Sequence, residues 1–156
     1  MNVLVIDVGT SSMRGILFDH HGKSLTQKQE FYQATYMENS WVEQDPVDWE
    51  IALYSIIRQV TEEAGKMNEE IEAISITSQR SSVIPVDEKI QPLSNAIMWQ
   101  DKRTNHLCEM LENLNDKVFS LCGSRVNPVF SASKMTWIRE EQPEIYKKTY
   151  KFIVIP

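Results

Sequence analysis

The sequence predicts a mixed α/β fold: a β-meander, then a strong helix, then further strands and helices in alternation. Three observations carry this. The chain opens on the apolar, β-branched run Val3-Leu4-Val5-Ile6, and two more strand-like stretches follow it across short polar turns. Asp45, Pro46 and Asp48 form the strongest helix start in the chain. Residues 71–77 then return to strand character, so the sheet gains a member after the helix. Strand, strand, strand, helix, strand, helix gives a mixed sheet, flanked by helices, with a meander along part of it.

In order, residues 3–6 read as a strand buried on both faces. Residues 7–12 are a small polar turn, and 15–18 a second strand. Asp19-His20-His21-Gly22 is a turn before a third strand from 24 to about 32. In the first helix Asp45 is the N-cap, Pro46 the first helical residue, and Asp48 an acid where the helix dipole favours one. Trp49, Leu53, Ile56, Ile57 and Val60 repeat at helical spacing, and Gly65 closes the helix. After strand 71–77 comes a hairpin, with Val83-Ile84-Pro85-Val86 outward, Asp87-Glu88-Lys89 as the turn and residues 96–99 returning. A single second helix carries Leu107, Leu111, Leu114, Val118 and Leu121 and ends at Gly123. A short helix from Ser131 or Ser133 presents Met135 and Ile138, and residues 152–156 close the chain as an apolar, strand-like run. A dinucleotide-binding start is excluded, because there the first strand runs through a glycine turn into a helix.

The 156 residues suit one domain able to bury a core without disulfides or metal. At 42% apolar and 24% charged, the composition is that of a globular chain. Sixteen basic against 22 acidic residues, a net charge of -6, argue against a nucleic-acid or anionic-membrane partner. No apolar run approaches a membrane span. Cys108 and Cys122 have no partner at metal-binding spacing and read as reduced thiols of a cytoplasmic protein.

Four segments carry candidate chemistry. In residues 7–15, Asp7 ends a strand and Gly9, Thr10, Ser11 and Ser12 form a turn. Gly9 would let the backbone approach a ligand and take a positive φ. The turn N–H groups and hydroxyls suit a phosphate, Asp7 a hydrated Mg²⁺, and Arg14 the same anion. The alternative is a plain polar hairpin turn. Residues 41–49 combine a Trp, acids and Gln44 before the helix, where capping and a packed Trp suffice. Gln79 and Arg80 follow the fourth strand, where open sheets place ligand groups, or Arg80 forms a surface ion pair. Trp99, Asp101 and Arg103 either stack on and bind a sugar or are a core Trp before a solvated helix start. His20, His21 and His106 have no partner for metal or acid–base work.

In order and spacing, DVGTSSMRGILFD, WVEQDPVDW, ISITSQRSSVI, NAIMWQDKRT and NPVFSASKMTW resemble the N-terminal part of the FGGY carbohydrate kinases, with the glycerol-kinase branch nearest. The resemblance implies a ribonuclease H-like lobe of the actin, Hsp70 and hexokinase type. It implies ATP and Mg²⁺ as cofactors, and transfer of the γ-phosphoryl group to a hydroxyl of a small-molecule sugar or polyol. Asp7 would associate with Mg²⁺ through water, and Gly9, Thr10, Ser11 and Ser12 would form the first phosphate loop. Arg14 would offset charge on the transferring group. Gln79, Arg80, Trp99 and Asp101 would line the substrate pocket. Glycerol kinases carry Glu where this chain has Ser81 and Tyr where it has Val129, so a polyol other than glycerol, or a ketose, is expected.

The resemblance further implies that residues 1–156 are an incomplete N-terminal domain. The general base, the second phosphate loop and the adenine site would belong to a missing C-terminal lobe, and the chain alone is expected to be inactive. Homo-oligomerisation stays open. Two rivals stand beside this reading. One is a non-catalytic half-domain that binds a sugar or a protein, for which a phosphate loop has no use. The other is a chaperone- or actin-like nucleotide-binding domain, which has no need of the Trp99–Arg103 block.

Overall fold

A computed structural model describes residues 1–155; Pro156, the end of the closing run, lies outside the described residues. The chain divides into two units, one of residues 1–34 and 46–79, the other of residues 35–45 and 80–155.

The first unit is a four-stranded mixed sheet with one long helix. Strands β1 (Val3–Val8), β2 (Ser12–Phe18) and β3 (Ser24–Phe31) form the meander, and β6 (Ala73–Ser78) adds to β1 in parallel, giving the order β3-β2-β1-β6. Helix α1 (Pro46–Lys66) precedes β6. The expectation that the first strand is buried on both faces is corrected, since Leu4, Ile6 and Val8 are buried while Val3, Val5 and Asp7 are only half-buried. One helix covers one face, and the other carries the polar row described below. Gly65 does not close α1, which runs on to Lys66.

The packing of α1 depends on Gly15. A Cβ there would stand 2.3 Å from Ile56 Cγ2, 3.4 Å from Val60 Cγ2 and 3.5 Å from Leu4 Cδ1, so the helix lies directly on the strand backbone. Toward β3 the contact turns polar. Glu30 Oε1 accepts from Ser55 Oγ at 2.7 Å and Gln59 Nε2 at 2.6 Å, and Lys28 pairs with Glu63 at 3.7 Å. Ser55, Gln59 and Glu63 are spaced by four residues and share one flank of the helix. On the far side, β6 is an edge strand with Ile74 and Ile76 more than half exposed.

The second unit holds a separate antiparallel sheet, where one mixed sheet was expected. Its order is β4-β5-β8-β7-β9, from β4 (Thr35–Tyr36), β5 (Val42–Gln44), β7 (Val83–Val86), β8 (Ala96–Ile97) and β9 (Lys151–Val154). The strand after residue 83 is not added to the meander because its partners, β8 and β9, both lie later in the chain. Its core is Val83, Ile97, Leu107, Trp137 and Ile138.

The single second helix expected over residues 107–121 is broken. Helix α2 (Asn105–Met110) ends before a 3₁₀ turn at Glu112–Leu114, and α3 (Asn115–Cys122) follows. Leu107 reaches the core, but Leu111, Leu114 and Leu121 are exposed. Asn115 Oδ1 accepts from the Val126 N–H at 2.8 Å, tying the start of α3 to the chain beyond its end. The stretch ends at Gly123 as expected, in a left-handed cap at φ 68°. Helices α4 (Ser131–Glu141) and α5 (Pro143–Lys148) lead into β9. Among the described residues no helix is long and apolar enough to cross a membrane. Both cysteines are free, Cys108 buried and Cys122 exposed.

Candidate active site

In the first unit, β1 and β2 turn directly into one another over residues 9–11, with the Gly9 N–H donating to the Ser12 carbonyl at 3.0 Å. Gly9 does not take the positive φ expected of it; among glycines only Gly22 and Gly123 do. Its glycine is required for another reason. A Cβ would stand 2.8 Å from the Ser12 carbonyl oxygen, so any side chain would force this turn open.

Tyr32, just past β3, clamps the turn from outside. Its hydroxyl donates to the Gly9 carbonyl at 2.7 Å and its N–H to the Ser11 carbonyl at 3.1 Å. Burial raises the phenol above its ordinary value, with the charge of Asp7 adding to the rise and the Trp49 side chain opposing it, so the hydroxyl stays a donor. The Trp49 ring meets it edge-on at 6.4 Å. From the end of β6, the Gln79 N–H donates to the Val8 carbonyl at 2.8 Å, and Thr10 Oγ1 donates to Gln79 Oε1 at 3.5 Å. Ser12 Oγ accepts from Gln29 Nε2 at 2.9 Å. Ser11 is exposed.

Register places Asp7 opposite Arg14 on β2 and Thr77 on β6, and Arg14 opposite Gln29 on β3. Directly paired residues share a sheet face. Gln29, Arg14, Asp7 and Thr77 therefore form a polar row on the face away from α1. Neither Asp7 nor Arg14 enters an ion pair or a side-chain hydrogen bond among the described residues. A carboxylate and a guanidinium held side by side, each without an ion partner, suit a ligand carrying both a cation and an anion. No cluster of three or more His, Cys, Asp or Glu that could hold a metal occurs among the described residues. Asp7 alone therefore fits a cation held through its water shell.

In the second unit the chain after β8 is pinned at nearly every residue. The Trp99 N–H donates to Ser82 Oγ at 3.1 Å, Gln100 Nε2 to Tyr36 Oη at 3.3 Å, and the Lys102 N–H to the Ser40 carbonyl at 3.1 Å. The Trp99 side chain is about one-third exposed, at 36%, which leaves ring surface for a ligand. Asp101 was expected to face substrate, and here the structure differs. Its side chain is buried, Oδ2 accepting from the Val42 N–H at 2.6 Å and Arg103 Nη2 at 2.8 Å, and Oδ1 from the Arg103 N–H at 2.8 Å and Nε at 2.9 Å. It holds the loop together rather than presenting a free carboxylate. Arg103 also reaches Glu43 Oε1 at 2.9 Å and stands 4.1 Å from the Trp41 ring centroid and 4.7 Å from that of Trp137. Arg80 is exposed and makes no ion pair among the described residues, so the surface ion pair considered for it is not formed. The next residue, Ser81, sits in the left-handed region at φ 70°.

Lys134 and Tyr32 escaped the sequence reading. Tyr32 read as the last residue of a strand and nothing more, and an aromatic at a strand end carries no local signal of its bond to a turn 23 residues earlier. Lys134 stands in α4 between Ser133 and Met135 and is fully buried. Its Nζ donates to the Pro128 carbonyl at 2.5 Å and the Val129 carbonyl at 2.8 Å, fixing the loop before α4. Burial lowers its pKa to about 8, with Arg103 lowering it further and Asp101 and Cys108 opposing. The unfolded chain holds this proton up to the ordinary lysine range, so above about pH 8 the unfolded state binds more protons and stability rises with pH. Denaturant unfolding of the parent and of Lys134→Met from pH 7 to 10 is expected to show the parent gaining stability relative to the variant as pH rises. A constant difference would remove the buried ammonium from the account.

Comparison with known proteins finds one matching family model, the N-terminal domain of the FGGY family of carbohydrate kinases, over residues 2–156. A glycerol kinase of Marinomonas sp. is 38% identical over 139 residues, 87% of this chain and 28% of that protein. A xylulose kinase of Lactococcus lactis is 31% identical over 153 residues, 97% of this chain and 30% of its own length. The crystal structure of Plasmodium falciparum glycerol kinase with ADP superposes with a TM-score of 0.89 at 27% identity, covering 99% of this chain and 32% of that one. The chain thus spans under a third of the length of the relatives it matches.

Proposed function

The chain belongs to the FGGY family of carbohydrate kinases, with their actin- and hexokinase-like fold, and from that premise we propose that residues 1–156 are the N-terminal domain of a longer, cytoplasmic, ATP-dependent kinase. It transfers the γ-phosphoryl group to a hydroxyl of a sugar or polyol. The observation that carries this reading is the Asp7–Arg14 pair, side by side on one sheet face next to a turn that admits no side chain at Gly9.

Bound Mg²⁺ would supply charge neutralisation on the phosphate oxygens. Asp7 would hold that ion through its waters, and the Gly9–Ser12 turn offers N–H and hydroxyl donors to phosphate oxygens. Arg14 offsets the charge that develops on the transferring group. Gln79, Arg80 and the exposed part of Trp99 bind the substrate, while Asp101 acts as a positioning residue for the Trp99 loop. The general base and the rest of the nucleotide site come from the remainder of the polypeptide, so residues 1–156 alone have no kinase turnover. In the complete protein Asp7→Asn is expected to lower kcat by at least about 100-fold, with a much smaller effect on the KM for sugar. Undiminished kcat would sink the assignment.

Ser81 and Val129 stand where glycerol kinases carry Glu and Tyr for hydroxyl recognition, and on that ground the substrate is a polyol other than glycerol, or a ketose. A substrate panel on the complete protein in which glycerol has the highest kcat/KM would refute that choice and leave the kinase reading intact.

A further inference from the structure

Tyr32 approaches the β1–β2 turn from a side that the sheet itself fixes. Along β3, Lys28 and Glu30 lie on the face that α1 covers, where Lys28 meets Glu63 and Glu30 meets Ser55 and Gln59. Strand alternation carries Tyr32 to the same face. There it is 9% exposed, with its ring edge-on to the buried Trp49 of α1. Asp7, Arg14 and Gln29, paired across β1, β2 and β3, occupy the opposite face. The Tyr32 hydroxyl, 2.7 Å from the Gly9 carbonyl oxygen, therefore draws that carbonyl toward the α1 side. No peptide bond among the described residues is cis. In a planar trans peptide the N–H of the following residue points the other way. The Thr10 N–H is thus aimed at the face that carries Asp7 and Arg14.

We propose that Tyr32 is a positioning residue for the phosphate turn, its hydroxyl setting the Gly9–Thr10 peptide with the donor toward the phosphate and the acceptor away from it. The proposal rests on the kinase reading, because the phosphate it serves is that of the nucleotide. The turn needs such a hold. Residue 9 must be glycine, since a Cβ there would stand 2.8 Å from the Ser12 carbonyl oxygen, and glycine has the least restricted backbone of all residues. A stiffer residue cannot be placed at the turn, so the peptide is held from outside it. Released, the Gly9 carbonyl can swing to the ligand face, where it sets an oxygen against phosphate oxygens and withdraws a donor. Tyr32 is well braced for the task. Its own N–H donates to the Ser11 carbonyl at 3.1 Å, which fixes its backbone to the same turn, and Trp49 limits the movement of its ring.

Tyr32→Phe in the complete protein keeps the ring against Trp49 and removes only the hydroxyl. Calorimetric titration with Mg²⁺ and a non-hydrolysable ATP analogue is expected to show affinity about three- to tenfold below the parent's. In steady-state kinetics the KM for ATP should rise by a similar factor while the KM for the sugar stays unchanged. Gln59→Ala supplies the contrast. It loosens α1 from β3 through Glu30 without touching the turn, so it should lower stability in denaturant and leave affinity for the analogue as in the parent. Far-UV circular dichroism shows that both variants remain folded. Undiminished affinity in Tyr32→Phe overturns the proposal and leaves the kinase reading standing. An equal rise in both KM values, or a loss as large in Gln59→Ala, also overturns it, because general loosening of the sheet is then the cause. A parent that binds no analogue defeats the kinase reading itself, and the positioning role with it.

Discussion

Arg103→Leu is expected to cost the chain about 3–5 kcal/mol of stability, the range for removing one partner of a buried ion pair. Arg103 is 1% exposed at its side chain and Asp101 0%, so the carboxylate left behind cannot recover its charge partner from water. The loss is compounded because the same guanidinium binds Glu43 and lies against Trp41 and Trp137. Arg103→Lys keeps the charge but not the fork that grips Asp101 twice, and should fall between parent and Arg103→Leu. Denaturant titration followed by tryptophan fluorescence checks this well, since Trp41, Trp99 and Trp137 all lie in the unit that contains Arg103. A loss below about 1 kcal/mol would mean that the pair is no better than a surface salt bridge.

Gly15→Ala is expected to destabilise the first unit by about 2 kcal/mol, within the usual cost of overfilling a packed core. The obstruction is a branched methyl, Ile56 Cγ2 at 2.3 Å, which no rotation of a flexible tail relieves. Ile56→Ala removes that methyl at its own cost. The double variant should then be more stable than the sum of the single losses predicts by about 1 kcal/mol or more. Strict additivity, measured by the same denaturant titrations, would show that α1 shifts away from β2 instead of resting on it.

The parts of this fold legible in the sequence were those that local chemistry decides. The β1–β2 turn, the Pro46 helix start and the Gly123 cap each follow from a few adjacent residues. Two sheets in place of one were not legible, because β7 chooses partners, β8 and β9, that lie about 10 and 65 residues further on. The break between α2 and α3 was hidden by a leucine repeat that satisfies helical spacing, while Asn115 bonds outside the helix. At the candidate site the residue types were readable, but not their occupancy. Asp7 and Asp101 look alike as acids ending strands or loops. Only the structure tells a carboxylate without an ion partner from one gripped on both oxygens by Arg103. Lys134 shows the same limit, since a lysine in a short helix reads as surface until its Nζ is found on the Pro128 and Val129 carbonyls.

The interleaving of the two units imposes an order on synthesis. Every strand of the four-stranded sheet has left the ribosome once Ser78 emerges, so that sheet can close on α1 while the chain is still growing. Strand β5 is made before α1, yet its partner β8 appears some 50 residues later, and β7 waits for β9, about 65 residues further on. At about 5–20 residues per second, the second sheet stays unfinished for roughly 4–15 s after the first is complete. Early in that interval, before β8 emerges, residues 35–45 have only the short β4–β5 pairing, and Val83 and Ile84 have no partner strand. The outer edge of β7 stays open until β9 is made. A nascent chain should therefore expose protease-sensitive sites in residues 35–45 while residues 1–34 are already resistant, and it is the early, displaced β4–β5 segment that most needs protection by a chaperone.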